Sequence, residues 1–348
     1  METNNFLLKK YIDILEEYYN INAINTILNK WNESHRYYHN INHLLSFLKQ
    51  IEEFFLEEED HMYMSQLYKN FIIAAFFHDV IYDTKANNNE DKCIEFFNSV
   101  SLHLKNEDKD LIIKMIESTK SRLLPEPNYV GVEVDFNVRN FWKFDNNIIL
   151  NGTIDELIDY ENKIFKEFQF VSYDIYKTKR IEFLKGEVKH NENINFLISY
   201  INNRIIKVGI YSGSFNPFHL GHLDVLNKAS LIFDKVIVAY GNNPEKGVRM
   251  IEVPTTLNYY QVDTYNGLVT DYISSVENNN VDVTFIRGLR NGADLDYESN
   301  QLSFIKDIKS DVKVVYIPCD KKYEHISSSA IRNLEKFDKE LANKYLVK

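Results

Sequence analysis

"GSFNPFHLGH", residues 213–222, follows the apolar run "VGIYS" and precedes "LDVLNKASLIF", whose apolar spacing is helical. A strand that ends in glycine-rich backbone and hands over to a helix presents free N–H groups and the positive end of a helix dipole. Such a turn is a phosphate site. Gly213 and Gly221 permit close backbone approach, and Pro217 stiffens the turn. His222 falls at the helix start, where an imidazole can donate to a phosphoryl oxygen as charge develops on it. Taken alone, the stretch also reads as a loop with a surface histidine pair.

The surrounding sequence supplies two more turns of the same kind. "FIRGLRNGADLDYE" (285–298) sets Arg287 and Arg290 around a glycine at a strand end, two cations suited to a polyphosphate. "YEHISSSAIRNL" (323–334) places three serines where a helix begins, so hydroxyls and unpaired N–H groups converge on a second anion position. Short β-type runs, "KVGIYS", "DKVIVAYG", "DVTFIRG" and "VKVVYIP", alternate with helical patterns from Lys207 onward. That alternation predicts a doubly wound parallel sheet of Rossmann-like α/β type.

Upstream the character is different. Residues 1–200 read as helix after helix, with "KSRLLPEPNYVGVEV" (120–134) as the one long irregular connection. A chain of 348 residues exceeds what one core usually holds, so two domains are expected, 1–204 all-helical and 205–348 α/β. A net charge of −11 argues against a sequence-independent grip on nucleic acid, while leaving room for a small anion held by local cations. Cys93 and Cys319 stand alone, without metal-ligand spacing or a disulfide framework. The first residues lack a signal peptide's apolar core, and "FIIAAFF" is too short to span a bilayer, so a soluble, cytoplasmic protein is expected.

The helical half has its own chemistry. In "HRYYHNINHLL", His39 and His43 are four apart and are expected on one helical face. "AAFFHDVIYD" sets His78 and Asp79 side by side within an apolar helix, and Asp145 in "FWKFDNNIIL" is likewise flanked by apolar residues. Adjacent polar groups amid buried residues are costly unless something satisfies them, and a divalent metal would do so. His43 by itself reads better as a helix-surface histidine, and it is the set that points to a metal.

These motifs carry two resemblances. Residues 206–338 resemble the phosphopantetheine adenylyltransferases of the HxGH nucleotidyltransferase superfamily, whose motifs appear in order as "GSFNPFHLGH", "IRGLRNGADLDYE" and "ISSSAIR". The resemblance implies transfer of AMP from Mg²⁺-bound ATP to 4′-phosphopantetheine, giving dephospho-coenzyme A and pyrophosphate, by a homo-oligomer. Carried over by position, Ser214 lies between the two substrates, with Phe215 and His219 beside it in the same motif. His222 stabilises the transition state, Lys246 bridges the phosphates, and Arg287 serves the acceptor side, as does Leu268. Gly288, Leu289, Arg290, Glu298, Tyr323, Ile326, Ser327, Ser328 and Ser329 match ATP contacts. The family usually has Thr where this chain has His219, and the chain is shorter than the family between Lys246 and Leu268. A full H-x-G-H is commoner in nicotinamide or nicotinate mononucleotide adenylyltransferases and in cytidylyltransferases. A mononucleotide acceptor is therefore the alternative, and a nucleotide sensor without turnover a third reading.

Residues 25–187 resemble small bacterial HD-superfamily phosphohydrolases, through "HRYYHNINH", "FHDVIY" and the "NE" pair Asn89 and Glu90. That resemblance implies a divalent metal (Mn²⁺, Fe²⁺, Co²⁺ or Mg²⁺) held by His43, His78, Asp79 and Asp145. His39 would protonate a leaving oxygen. It implies no defined substrate.

Overall fold

The computed structural model describes residues 2–57, 65–120, 132–187, 191–242 and 252–347. Eleven helices come first among the described residues: α1 Glu2–Glu16, α2 Ile21–Trp31, α3 Ile41–Glu57, α4 Gln66–Phe77, α5 Asn89–Val100 and α6 Asn106–Ser118, then α7 Val132–Asp145, α8 Asn147–Asn151, α9 Ile154–Glu167, α10 Tyr173–Glu187 and α11 Asn193–Asn203. The remainder alternates: β1 Ile206–Gly213, α12 Leu220–Ile232, β2 Lys235–Asn242, β3 Gln261–Asn266, α13 Val269–Val276, β4 Val281–Leu289, α14 Gly292–Ile308, β5 Val314–Pro318, α15 Ser328–Glu335 and α16 Lys339–Asn343. Two compact units result, one of Met1–Glu167 with Leu184–Leu197, the other of Phe168–Phe183 with Ile198–Lys348. Among the described residues, no helix is long and apolar enough to cross a membrane.

In the N-terminal unit α4 is the hub. Nine of its residues, from Tyr68 to Phe77, are buried, which is why its sequence is apolar on every side rather than along one stripe. Trp31, Phe47, Phe97 and Phe141 pack in the same core. Two helix ends differ from expectation. The helix through "AAFFHDVIY" stops at Phe77, with His78 as its cap and Asp79 in the turn beyond. The buried Arg36 accounts for the stop, since its guanidinium donates to the carbonyls of Asp79 (2.6 Å) and Val80 (3.1 Å). His39 is not helical either. It lies in the turn before α3, which Asn40 opens by accepting from the N–H of Asn42 at 2.9 Å. The irregular connection expected over 120–134 is helical from Val132, where α7 begins; residues 121–131 lie outside the described residues.

In the C-terminal unit five parallel strands form one sheet in the order β3-β2-β1-β4-β5. The order reverses at β1, so a crevice opens beyond the carboxyl ends of β1 and β4. Val208, Ile210, Val236, Val238 and Phe285 are buried, as befits strands covered on both faces. The sequence reading missed β3, "QVDTYN". It is an edge strand of mixed burial, and its polar composition carries no apolar run.

Candidate functional site

β1 delivers the chain to its turn through Gly213, where an added Cβ would meet the Phe215 ring at 2.9 Å. Phe215 itself takes a positive φ of 41°, a left-handed conformation that a bulky residue holds only when its surroundings enforce it. They do: the ring is buried against Tyr211, Phe218, His222 and Tyr240. Phe215 thus shapes the turn from beneath, and Ser214 is left exposed at its crest.

His219 caps α12. The backbone N–H of His222 donates to His219 Nδ1 (3.4 Å), and that of His219 donates to His222 Nδ1 (3.3 Å). The two rings stack with centroids 3.5 Å apart. Each Nδ1 accepts, so in each neutral ring the proton sits on Nε2. Burial, with Arg290 adding to it, pushes His219 down to about 4. Burial together with His219 and Arg290 holds His222 well below the ordinary imidazole value. Both are neutral donors at pH 7, aimed where a helix N-terminus already favours an anion.

These histidines line a cavity of about 300 Å³ that also meets Gly288, Leu289, Arg290, Glu298, Ile326 and Ser327–Ser329. Its charged side chains Arg290, Asp294 and Glu298 are engaged in ion pairs, Glu298 with Arg287, which does not itself line this cavity. Arg287 forks onto Glu298, with Nε 2.6 Å from Oε2, and donates to the carbonyl of Ser212 at 3.2 Å. Arg290 forks onto Asp294 through two contacts of 2.8 Å. Among the serines, Ser328 donates its hydroxyl to the Pro217 carbonyl, whereas Ser327 accepts from Ala330 N–H as the cap of α15 and Ser329 accepts from Arg332. The hydroxyls of Ser327 and Ser329 thus keep a proton to donate to an anion, beside the first-turn backbone N–H groups of α15. Tyr323 packs close to Gly221. Leu268 is half exposed at the start of α13 and does not line this cavity. Lys246 lies outside the described residues. Tyr211, Asp294, Tyr297 and Cys319 line the cavity without having been singled out, although Asp294 and Tyr297 stand inside the quoted "ADLDYE".

In the N-terminal unit, α3, the end of α4 and the end of α7 bring His43, His78, Asp79 and Asp145 together. One ligand atom from each lies within 4.8 Å of all the others. His78 Nε2 is 3.4 Å from His43 Nε2, 3.2 Å from Asp79 and 3.5 Å from Asp145, and His43 is 3.4 Å from Asp145. Ligands around a tetrahedral ion with bonds of about 2.1 Å lie about 3.4 Å apart, so the set fits a divalent metal. His78 Nδ1 donates to the Ala75 carbonyl at 2.8 Å, which turns the Nε2 lone pair toward the cluster. Burial alone would depress His78 and raise both acids. Their mutual attraction outweighs it, holding His78 up and Asp79 and Asp145 down. His43 and Asp145 face a cavity of about 460 Å³.

The sequence reading missed Glu167, the last residue of α9. Its carboxylate is buried yet accepts the backbone N–H groups of Tyr37, Tyr38 and His39 on one oxygen, at 2.7–2.9 Å. The other oxygen takes His39 Nδ1 and the Tyr82 hydroxyl, each at 2.7 Å. Burial works against a charged His39, but Glu167 outweighs it and raises the histidine's pKa. The His39 ring lies beside that of His43, centroids 5.7 Å apart. Nothing local in "KEFQ" marks Glu167, since its partners are 85 to 130 residues away.

The cytidylyltransferase-like family matches residues 210–334. A phosphopantetheine adenylyltransferase of Clostridium perfringens is 36% identical over 147 residues, 40% of this chain and 87% of the relative. One of Streptococcus sanguinis is 32% identical over 154 residues, covering 39% of this chain and 87% of the relative. One of Syntrophomonas wolfei is 35% identical over 136 residues, covering 36% and 82%. The match runs through the phosphate turn, the arginine strand end and the serine helix. On this evidence the chain, through its C-terminal unit, belongs to the phosphopantetheine adenylyltransferase family of cytidylyltransferase-like nucleotidyltransferases.

Proposed function

We propose that the C-terminal nucleotidyltransferase unit joins ATP to 4′-phosphopantetheine, and that the N-terminal unit is a metal-dependent phosphohydrolase. The observation that carries the first half is the stacked pair of neutral imidazoles at the start of α12, with both Nε2 donors available to one cavity. An oxygen of the acceptor phosphate attacks the α-phosphorus in line. The bond from that phosphorus to the β-phosphate oxygen breaks, and pyrophosphate leaves. Mg²⁺ bound with ATP would offset charge on the phosphates. His222 donates from Nε2 to the oxygen on which charge grows. Arg287 serves the acceptor phosphate, competing with Glu298 for its own fork, and Lys246 bridges the phosphates. Ser214, exposed at the crest of the turn, stands between the substrates.

His219 favours a second reading, a mononucleotide acceptor, because it completes the H-x-G-H pattern. Homo-oligomerisation through this unit is supported by α14, which has no buried residue and leaves Phe304 and Ile308 exposed.

In the hydrolase half His43, His78, Asp79 and Asp145 hold the metal. A bound divalent ion would polarise the phosphoryl group and activate water. His39 gives a proton to the leaving oxygen, and Glu167 is the positioning residue that fixes its ring.

One experiment tests the reading. The purified protein receives ATP and Mg²⁺ with phosphopantetheine, nicotinamide mononucleotide or nicotinate mononucleotide, and pyrophosphate is followed while bound metals are measured on the same preparation. Phosphopantetheine is expected to be used and a transition metal to be present. Turnover of a mononucleotide alone would replace the acceptor, and protein that takes up no divalent ion would end the hydrolase reading.

A further inference from the structure

The guanidinium of Arg287 is divided between two unequal partners. Its Nε and Nη2 go to the carboxylate of Glu298, while Nη1 rests on the Ser212 carbonyl at 3.2 Å, a longer contact to a neutral oxygen. Nη1 is the arm that an incoming phosphate takes over most readily. Where that arm waits is decided by Ser212.

Ser212 is the buried penultimate residue of β1, and its side chain is held from across the sheet. Its Oγ lies 2.7 Å from the hydroxyl of Tyr265, which stands on β3 with β2 in between. Side chains at aligned positions of parallel strands share a face, as do alternate positions along one strand. Ser212 pairs with Ala239, two places before Gly241, and Gly241 pairs with Tyr265. Arg287 follows Ile286, the partner of Tyr211, and so stands beside Ser212. Tyr265, Gly241, Ser212 and Arg287 therefore share one face at the carboxyl ends of four neighbouring strands.

Gly241 lets the tyrosine cross. A Cβ there would come within 2.9 Å of the Tyr265 hydroxyl. The ring is backed by Tyr272 of α13, stacked on it at 5.1 Å with the planes 13° apart. The Tyr272 hydroxyl donates to Asp263 at 2.5 Å, and Asp263 also accepts from Gln261 Nε2 at 2.8 Å. A ring braced in this way presents its hydroxyl to Ser212 in one place. Neither Ser212 nor Tyr265 is among the described residues that line the histidine cavity.

From this arrangement we infer that Tyr265, acting through Ser212, is a positioning residue for the acceptor: it holds the end of β1 where Nη1 of Arg287 meets the acceptor phosphate. The inference rests on the adenylyltransferase reading above, in which Arg287 serves that phosphate. Removing the tyrosine hydroxyl weakens use of the acceptor and leaves use of ATP as it was.

The test measures initial rates of pyrophosphate release by the full chain with Mg²⁺. Acceptor is varied at saturating ATP, then ATP at saturating acceptor, and each variant is melted thermally. The acceptor is whichever of phosphopantetheine and nicotinamide mononucleotide turns over faster. Tyr265→Phe is expected to raise the acceptor KM about three- to tenfold, the size of one lost hydrogen bond, with the KM for ATP unchanged. Ser212→Ala should do the same, and the double variant should be no worse than either single one, because each removes the same bond. Gly241→Ala, which pushes the ring off Ser212, should show the same split. Arg287→Ala is measured beside them. If Arg287→Ala raises the acceptor KM and Tyr265→Phe does not, or if the two single effects add, this inference alone is overturned. Equal rises in both KM values with a lowered melting temperature would make Tyr265 a merely structural residue and overturn it too. If Arg287→Ala leaves the acceptor KM unchanged, or neither acceptor turns over, the reading of Arg287 falls and takes the inference with it.

Discussion

The two units assemble their candidate sites by opposite means. In the C-terminal unit the site is built from backbone: a strand end, two helix starts, and two imidazoles that cap one of them. Its basic side chains are paired with acids, and its histidines are kept neutral by burial. In the N-terminal unit the site is built from side chains drawn together by packing, with buried charges that satisfy one another across α3, α4 and α7. The first design draws on backbone at the ends of neighbouring parallel strands, while the second needs side chains brought together by the helical core.

The largest effect expected from this difference is at Asp79. Asp79→Asn keeps the side-chain shape but removes the charge that balances His78, and metal affinity should fall by more than the about 10–100-fold that even outer partners of a metal site command. Pyrophosphate release by the other unit should persist, which also shows that the chain has folded. If metal content is unchanged, the four residues are a structural ion-pair network and the contrast between the units dissolves.

A smaller loss is expected at His222. His222→Ala removes one preorganised donor, so adenylyl transfer should drop about a hundredfold while ATP still binds and metal content in the other unit stays the same. Near-normal turnover would leave the backbone as the whole of the phosphate site.

The smallest effect is a pH dependence of stability. His219 is held near 4 by burial, below its value in the unfolded chain. As pH falls from about 6.5 toward 4, the unfolded chain binds a proton that the folded one refuses, so stability is lost with acid, on the order of 2 kcal/mol by pH 5. His219→Asn keeps a good cap and should flatten that part of the acid profile in thermal melts. An unchanged profile would mean that His219 is protonated in the fold.

The same contrast explains what could be read from sequence. "GSFNPFHLGH" is legible because the glycines, the mutual cap of His219 and His222 and the helix pattern sit in one string, although distant groups such as Ser328 and Tyr240 also pack on the turn. The parallel sheet was legible from its apolar runs, except for β3, whose edge position tolerates polar residues. In the helical unit, residue types announced a ligand set, but local spacing misplaced two ends. His39 was assigned to a helix that starts only at Ile41, and Asp79 to one that stops at Phe77. Both ends are decided by distant groups, Glu167 in one case and Arg36 in the other. Glu167 was invisible because an acid at the end of an amphipathic helix looks like any solvated acid until the fold buries it.

The imidazole cap of α12 bears on how such a chain can change over evolutionary time. A threonine oxygen at the position of His219 would cap the helix by accepting the same N3 backbone N–H that His219 Nδ1 accepts here. Exchange between the two residues therefore keeps the turn intact in either direction. What the second ring adds is then a matter for the phosphate cavity that His219 lines rather than for the stability of the turn.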